Sequence, residues 1–278
     1  MLPLLIDGLF DRLSRQGAVL VSVEATQGSA PRDAGAWMAV FADELVGTIG
    51  GGQLEHQAIA AARERLGNVA THNVEVLRFA LGPSLGQCCG GVVMLRFESI
   101  SEGQIPVLQA RWKAALAPVA LFGGGHVGRA LVEVLARLPF DLTWIDSREE
   151  VFPANVPPHV QCEHSDPVQA AVPTLSTGSR VVIMSFSHAE DLDIVAACLL
   201  RQRDRSDLAY IGLIGSKTKW ATFRHRLEAR GFSADELAQV TCPIGVPGIA
   251  GKEPEVIAVG IAAQLLQSLP AKPQNGKA

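Results

Sequence analysis

The sequence predicts an α/β protein in two parts, a mixed α+β domain followed by a doubly wound parallel sheet. Three observations carry that prediction. The first half alternates short β-rich runs with amphipathic helices. The second half strings continuous apolar runs between helical segments, as parallel strands buried on both faces do. A glycine pattern marks the first strand-to-helix junction of that second half. With 278 residues, 48% hydrophobic and 19% charged, the chain has a soluble globular composition and the length of roughly two domains.

The elements follow in order. Leu5, Leu9 and Leu13, with Phe10 beside them, mark an opening amphipathic helix. Residues 18–26 and 37–41 are rich in β-formers and read as strands. Residues 53–67 form a helix ended by Gly67. Residues 73–81 alternate polar and apolar side chains, as a half-buried strand does, and 92–98 give a further strand. Residues 1–98 are therefore expected to form the mixed α+β domain. Residues 99–117, polar at first and carrying Pro106, are expected to link the domains and to include a short helix. The second domain spans 118–270, with strands at 119–122, 142–146, 180–186 and 208–215 and a last helix at 253–269. The tail 271–278 reads as disordered.

Composition excludes several classes. A formal charge of −4 gives no global attraction to nucleic acid or to an anionic membrane. Aromatics make up 5%, with Tyr210 the one tyrosine, so no stacking platform for single strands is present. No apolar run approaches the ~20 residues that span a bilayer. The opening helix carries acids and no basic leader, and five cysteines is an odd number. The expectation is a cytoplasmic protein with reduced thiols and no nucleic-acid or membrane partner.

In "VALFGGGHVGRALVEVL", Gly123, Gly125 and Gly128 stand in G-x-G-x-x-G order between a strand and a helix. Asp146 ends the next strand, 18 residues past Gly128. One glycine makes the tight turn, the next admits a pyrophosphate, and the third lets the helix pack closely. The helix N-terminus then offers amides to phosphate, and the acid accepts a ribose hydroxyl. This predicts a Rossmann-like domain with a dinucleotide as its expected ligand. A short-chain dehydrogenase would need Tyr-x-x-x-Lys, but position 214 is Ile. His126 lies by the phosphates, and His188 and Asp191 follow a strand end that can line the cleft. Ser216 is an expected N-cap for a helix whose Lys217, Lys219, Arg224 and Arg226 read as a solvated basic face. Neither "GLIGSKTK" nor "GIAGKEP", with Glu253 after its lysine, has P-loop spacing.

The first domain has three glycine-marked turns, "TQGSAPRDAGA" (26–36), "GTIGGGQLE" (47–55) and "LGQCCGG" (85–91). Gathered at one rim, they offer Arg32, a nest of amides at Gly50, Gly51 and Gly52, the polar Gln53, Glu55 and Gln87, and the thiols Cys88 and Cys89. Successive amides bind anions. Zinc is disfavoured, because adjacent cysteines point apart and Cys162, His164 and Cys242 are weak complements. A thiolate beside amides suits a softer metal carried by an anionic cofactor.

These stretches, together with "YIGLIGSKTK" and "PIGVPGIAGKEPEVIAVGIAAQLL", resemble the xanthine dehydrogenase accessory proteins of the XdhC/CoxI family, in order from residue 23 to 266. Gln53 stands where members often carry Ala or Cys. The resemblance implies a chaperone that binds the molybdenum cofactor (molybdopterin), protects it while a cysteine desulfurase supplies the terminal sulfur, and delivers it to apo-xanthine dehydrogenase. It implies Cys88 or Cys89 as the molybdenum ligand, with Cys88 preferred. A homodimer is expected. The alternative is an NAD(P)-dependent oxidoreductase acting through the Rossmann-like half. No nucleophile–base pair is evident in the sequence, so a carrier rather than a catalyst is expected.

Overall fold

A computed structural model describes residues 3–67, 74–81 and 91–270. The chain divides into two compact units, built on Leu5–Lys113 and on Ala114–Pro270.

The first unit contains α1 (Pro3–Leu13), β1 (Ala18–Gln27), β2 (Trp37–Val40), β3 (Leu45–Gly47), α2 (Gly52–Gly67), β4 (Glu75–Ala80), β5 (Val92–Ile100) and α3 (Ile105–Lys113). Its sheet is antiparallel, in the order β3-β2-β1-β5-β4. Period-two alternation splits its apolar residues between two cores. Val19, Val21 and Val23 of β1 share one face with Met38, Val40, Leu95 and Phe97. Leu54, Ala58 and Ala62, four residues apart on α2, cover that face. Leu20, Trp37, Ala39 and Phe41 face the other way, against Ile6, Leu9 and Leu13 of α1.

The stretch expected as a linker is largely part of this unit. β5 runs to Ile100, and α3 buries Leu108 and Trp112 in the second core. The Trp112 ring stacks on Trp37 at 5.0 Å and on Phe10 at 5.7 Å. Stacked aromatics of this kind add to area burial, which is why the polar start of the segment does not leave it loose.

The second unit contains β6 (Ala117–Phe122), α4 (His126–Leu135), β7 (Phe140–Asp146), β8 (Gln161–His164), β9 (Arg180–Ile183), α5 (His188–Arg205), β10 (Tyr210–Leu213), α6 (Lys217–Glu228), α7 (Ala234–Leu237), β11 (Val240–Thr241) and α8 (Pro254–Gln267). All six strands are parallel, in the order β11-β10-β9-β6-β7-β8. This is the doubly wound order that reverses direction beside its first strand, here between β6 and β9. Phe122, Val181 and Ile183 face α5 through Leu192, Val195 and Leu199. Leu121, Leu142 and Trp144 face Leu131 and Leu135 of α4 and Ile261 and Leu265 of α8. Strands covered on both faces have no polar side to show, hence the continuous apolar runs. Cys198 of α5 lies in the first of these cores, and burial pushes its thiol up to about 12.

Candidate functional site

In the first unit the glycine turns adjoin one another. A side chain at Gly50 would strike Pro31 Cβ at 2.6 Å and Arg32 Cγ at 3.1 Å, so the 47–52 turn lies directly on the 26–36 turn. A side chain at Gly91 would strike Ser29 O at 2.3 Å and Gln27 O at 2.8 Å. The Leu81 N–H donates to Gly91 O at 2.7 Å, which ties together the two ends of the cysteine segment. Arg32, Gly50, Gly52 and Gln53 are exposed there. Gln87, Cys88 and Cys89 lie outside the described residues.

Part of the amide nest already serves an anion belonging to the chain. Glu55 Oε2 accepts from Ile49 N–H at 2.9 Å, from Gly51 N–H at 3.1 Å and from the Thr48 hydroxyl. Burial alone would raise this carboxyl. The hydrogen bonds from Thr48, Gly51, Ile49 and Gly50 outweigh it and hold the group below its ordinary range. Glu55 is thus a clamp for the turn that opens α2.

Glu55→Ala is expected to cost about 1–3 kcal/mol, because it strands several donors, as measured by thermal unfolding. A depressed carboxyl stabilises the fold above its unfolded pKa and loses that contribution as pH falls through the folded value. Glu55→Gln should therefore flatten the acid limb of the stability profile below about pH 4.5.

In the second unit, the fingerprint glycines have the geometry their spacing predicts. Gly123 has φ +122°, and a side chain there would lie 2.0 Å from Met184 O. One at Gly128 would lie 2.1 Å from Gly123 O, whereas one at Gly125 would meet nothing within 4 Å. Gly125 is the N-cap of α4, so the open space lies where its free amides point. The indole N–H of Trp144 donates to Gly123 O at 3.0 Å and fixes the turn from below.

Asp146 is 2% exposed and differs from its predicted role. Its Oδ1 accepts from Arg148 N–H and Nε, each at 2.9 Å; its Oδ2 accepts from Gly124 N–H at 2.6 Å and Arg148 Nη2 at 3.1 Å. Burial works against its ionisation, but Arg148 and Gly124 overcome that and hold the carboxyl low. Four donors on two oxygens leave a ribose hydroxyl no open lone pair. Asp146 instead anchors the glycine turn to Arg148.

One grouping escaped the sequence. Lys219 Nζ donates to Asp191 Oδ2 at 2.6 Å and to Ile214 O at 2.8 Å, while Asp191 Oδ1 accepts from Ser185 N–H and Oγ. The side chains of Lys219 and Asp191 are 12% and 3% exposed. Lys219 therefore leaves the basic face expected for α6, while Lys217, Arg224 and Arg226 remain on it, exposed. Ser216 caps α6 by accepting from Lys219 N–H. His126 is exposed at the start of α4, and His188 meets the Phe223 ring edge-on. A cavity of about 360 Å³ between loop 243–251 and the first turns of α8 is lined by apolar side chains and glycines alone, so it offers shape without side-chain chemistry.

Cys162 is exposed on β8, and Cys242, partly buried after β11, has its thiol raised by burial. Among the described residues, no group of three or more His, Cys, Asp and Glu gathers as a metal site. None of their helices is long and apolar enough to cross a membrane.

Comparison with known proteins gives consistent results for both units. A family model described as the XdhC Rossmann domain matches residues 119–265, and one described as the XdhC and CoxI family matches residues 12–79. The uncharacterized protein YqeB of Escherichia coli (strain K12) is 28% identical over 259 residues, or 89% of this chain. The chain spans 43% of the length of that relative. The crystal structure of a xanthine dehydrogenase from Bacillus halodurans shares the fold, with a TM-score of 0.75 at 18% identity, over 100% of this chain and 98% of that one. With one family model covering its Rossmann unit and another much of its first unit, the chain belongs to the XdhC/CoxI family of xanthine dehydrogenase accessory proteins.

Proposed function

We propose that this chain carries the molybdenum cofactor during maturation of a xanthine dehydrogenase, holding it at the rim of the first unit. On this reading the cofactor stays bound while a cysteine desulfurase supplies its terminal sulfur, and apo-xanthine dehydrogenase then receives it. The observation that carries the reading is the packing of the turns. Gly91, which closes the segment bearing Cys88 and Cys89, rests on the same 26–36 turn that supports Gly50. The described end of that segment, Gly91, thus meets the turn that carries the exposed Arg32, a suitable partner for the phosphate of a sulfur-ligated group.

The fit of the described residues is selective. Arg32 is available to an anion, whereas the amides of Ile49 and Gly51 already serve Glu55. When bound, the cofactor supplies the molybdenum and its dithiolene. The chain's own part is to ligate through a thiolate, neutralise the phosphate and shield the group, with Cys88 the preferred ligand and Cys89 the alternative. The carrier works in the cytoplasm, as a homodimer.

The test is to co-express the chain with cofactor biosynthesis and assay the purified protein for molybdenum and pterin. Wild type should retain both, and Cys88→Ala should lose most of the molybdenum. Wild-type retention in the Cys88→Ala, Cys89→Ala double variant would remove the ligand role.

A further inference from the structure

β6 lies between β7 and β9, so the connections leaving those two strands start two strand spacings apart, about 9.5 Å. They nevertheless meet over the end of β6. Ser147, directly after β7, donates from Oγ to Glu190 Oε1 on α5 at 2.7 Å. The Arg148 guanidinium lies 4.6 Å from the centre of the Phe186 ring, which follows β9. Phe186 is 67% exposed, an unusual position for so large an apolar ring. Beneath these contacts, β6 delivers the Gly123–Gly125 turn.

We propose that Ser147, Arg148, Phe186 and Glu190 line the base-and-ribose half of a nucleotide site whose phosphate end is the Gly123–Gly125 turn. We further propose that this site selects an unphosphorylated ribose, as in NADH, over a 2′-phosphate, as in NADPH. Three features support the assignment. Asp146 has donors on all its lone pairs, so the acceptor for a ribose hydroxyl passes to Glu190, which reaches across from the other wall. Phe186, 67% exposed, leaves open ring surface on which a planar base stacks while the guanidinium keeps its place on Asp146. Finally, the charges exclude a second phosphate. Arg148 has Nε and Nη2 on Asp146, and Glu190 and Glu150 also act on it electrostatically. The neighbouring Arg129 donates to the carbonyls of Gly124 and Val151. A 2′-phosphate would thus meet three carboxylates around one guanidinium already engaged, and repulsion of this kind sets specificity.

The proposal is independent of the cysteine-turn reading, and its test leaves Cys88 and Cys89 untouched. Calorimetric titration of the purified full chain with NADH and with NADPH should show one NADH per chain and NADPH weaker by at least about tenfold. Glu190→Gln should weaken NADH about tenfold or more and narrow the difference from NADPH. Phe186→Ala should weaken both ligands about tenfold through lost stacking. Gly125→Val, placed in open space, should abolish binding of both while circular dichroism stays native. The proposal fails if NADPH binds as tightly as NADH, if Glu190→Gln leaves NADH affinity unchanged, if Gly125→Val still binds, or if neither dinucleotide binds the wild-type chain.

Discussion

Replacing Lys219 with methionine is expected to cost the second unit about 3–5 kcal/mol, because the Asp191 carboxylate is left buried without its cation. With side chains 12% and 3% exposed, the two charges have little water to fall back on. Ser185 continues to donate to Asp191 Oδ1, but no charge replaces the ammonium. For a unit of this size the loss corresponds to a fall in Tm of about 10 °C, which scanning calorimetry measures. Adding Asp191→Leu should recover much of it, since removing both members of a buried pair is far milder than removing one. If the single variant melts like wild type, the pair is not the clamp between α5 and α6 that its geometry indicates.

Gly128→Ala is expected to be one of the two most damaging single-methyl changes in the glycine turn. Its new carbon would lie 2.1 Å from the Gly123 carbonyl oxygen, so α4 would have to move off the end of β6. Gly123→Ala meets Met184 O at 2.0 Å and also starts from φ +122°, which L side chains resist. Losses of about 4 kcal/mol or more are expected for each, the upper range for point changes. Gly125→Ala, with nothing within 4 Å, should melt within about 2 °C of wild type. Thermal melts of the three variants give the comparison directly. Equal destabilisation by all three would contradict the packing described here.

Much of this architecture was legible in the sequence because periodicity and glycine spacing are local signals. The apolar run at 119–122 and the G-x-G-x-x-G behind it gave β6, the turn and α4, and the alternation at 73–81 gave β4. Elements with weak local signals were missed. β3 is three residues long, and β8, an edge strand reading Gln161–His164, has little apolar content to mark it. The polar start of 99–117 suggested a linker because Leu108 and Trp112 declare their burial only once Trp37 is placed against them.

The site was harder to read, because the spacing of chemical groups does not report which partners they meet in the fold. Asp146 sits where the fingerprint puts it, yet Arg148, two residues on, claims the lone pairs meant for a ribose. Glu55 was grouped with the glycine nest as a prospective ligand contact, and it takes the Ile49 and Gly51 amides of that turn for itself. Lys219 belongs by sequence to a basic helix face, but one turn of α6 carries it inward to Asp191.

The burial of Cys198 makes it a natural clock. Only the thiolate alkylates at a useful rate, and a thiol held near 12 presents almost none at neutral pH. Iodoacetamide added to the folded protein will therefore pass over this cysteine until α5 lifts from the sheet. The rate at which mass spectrometry sees Cys198 acquire its tag reports how often the second unit opens, with no engineered probe.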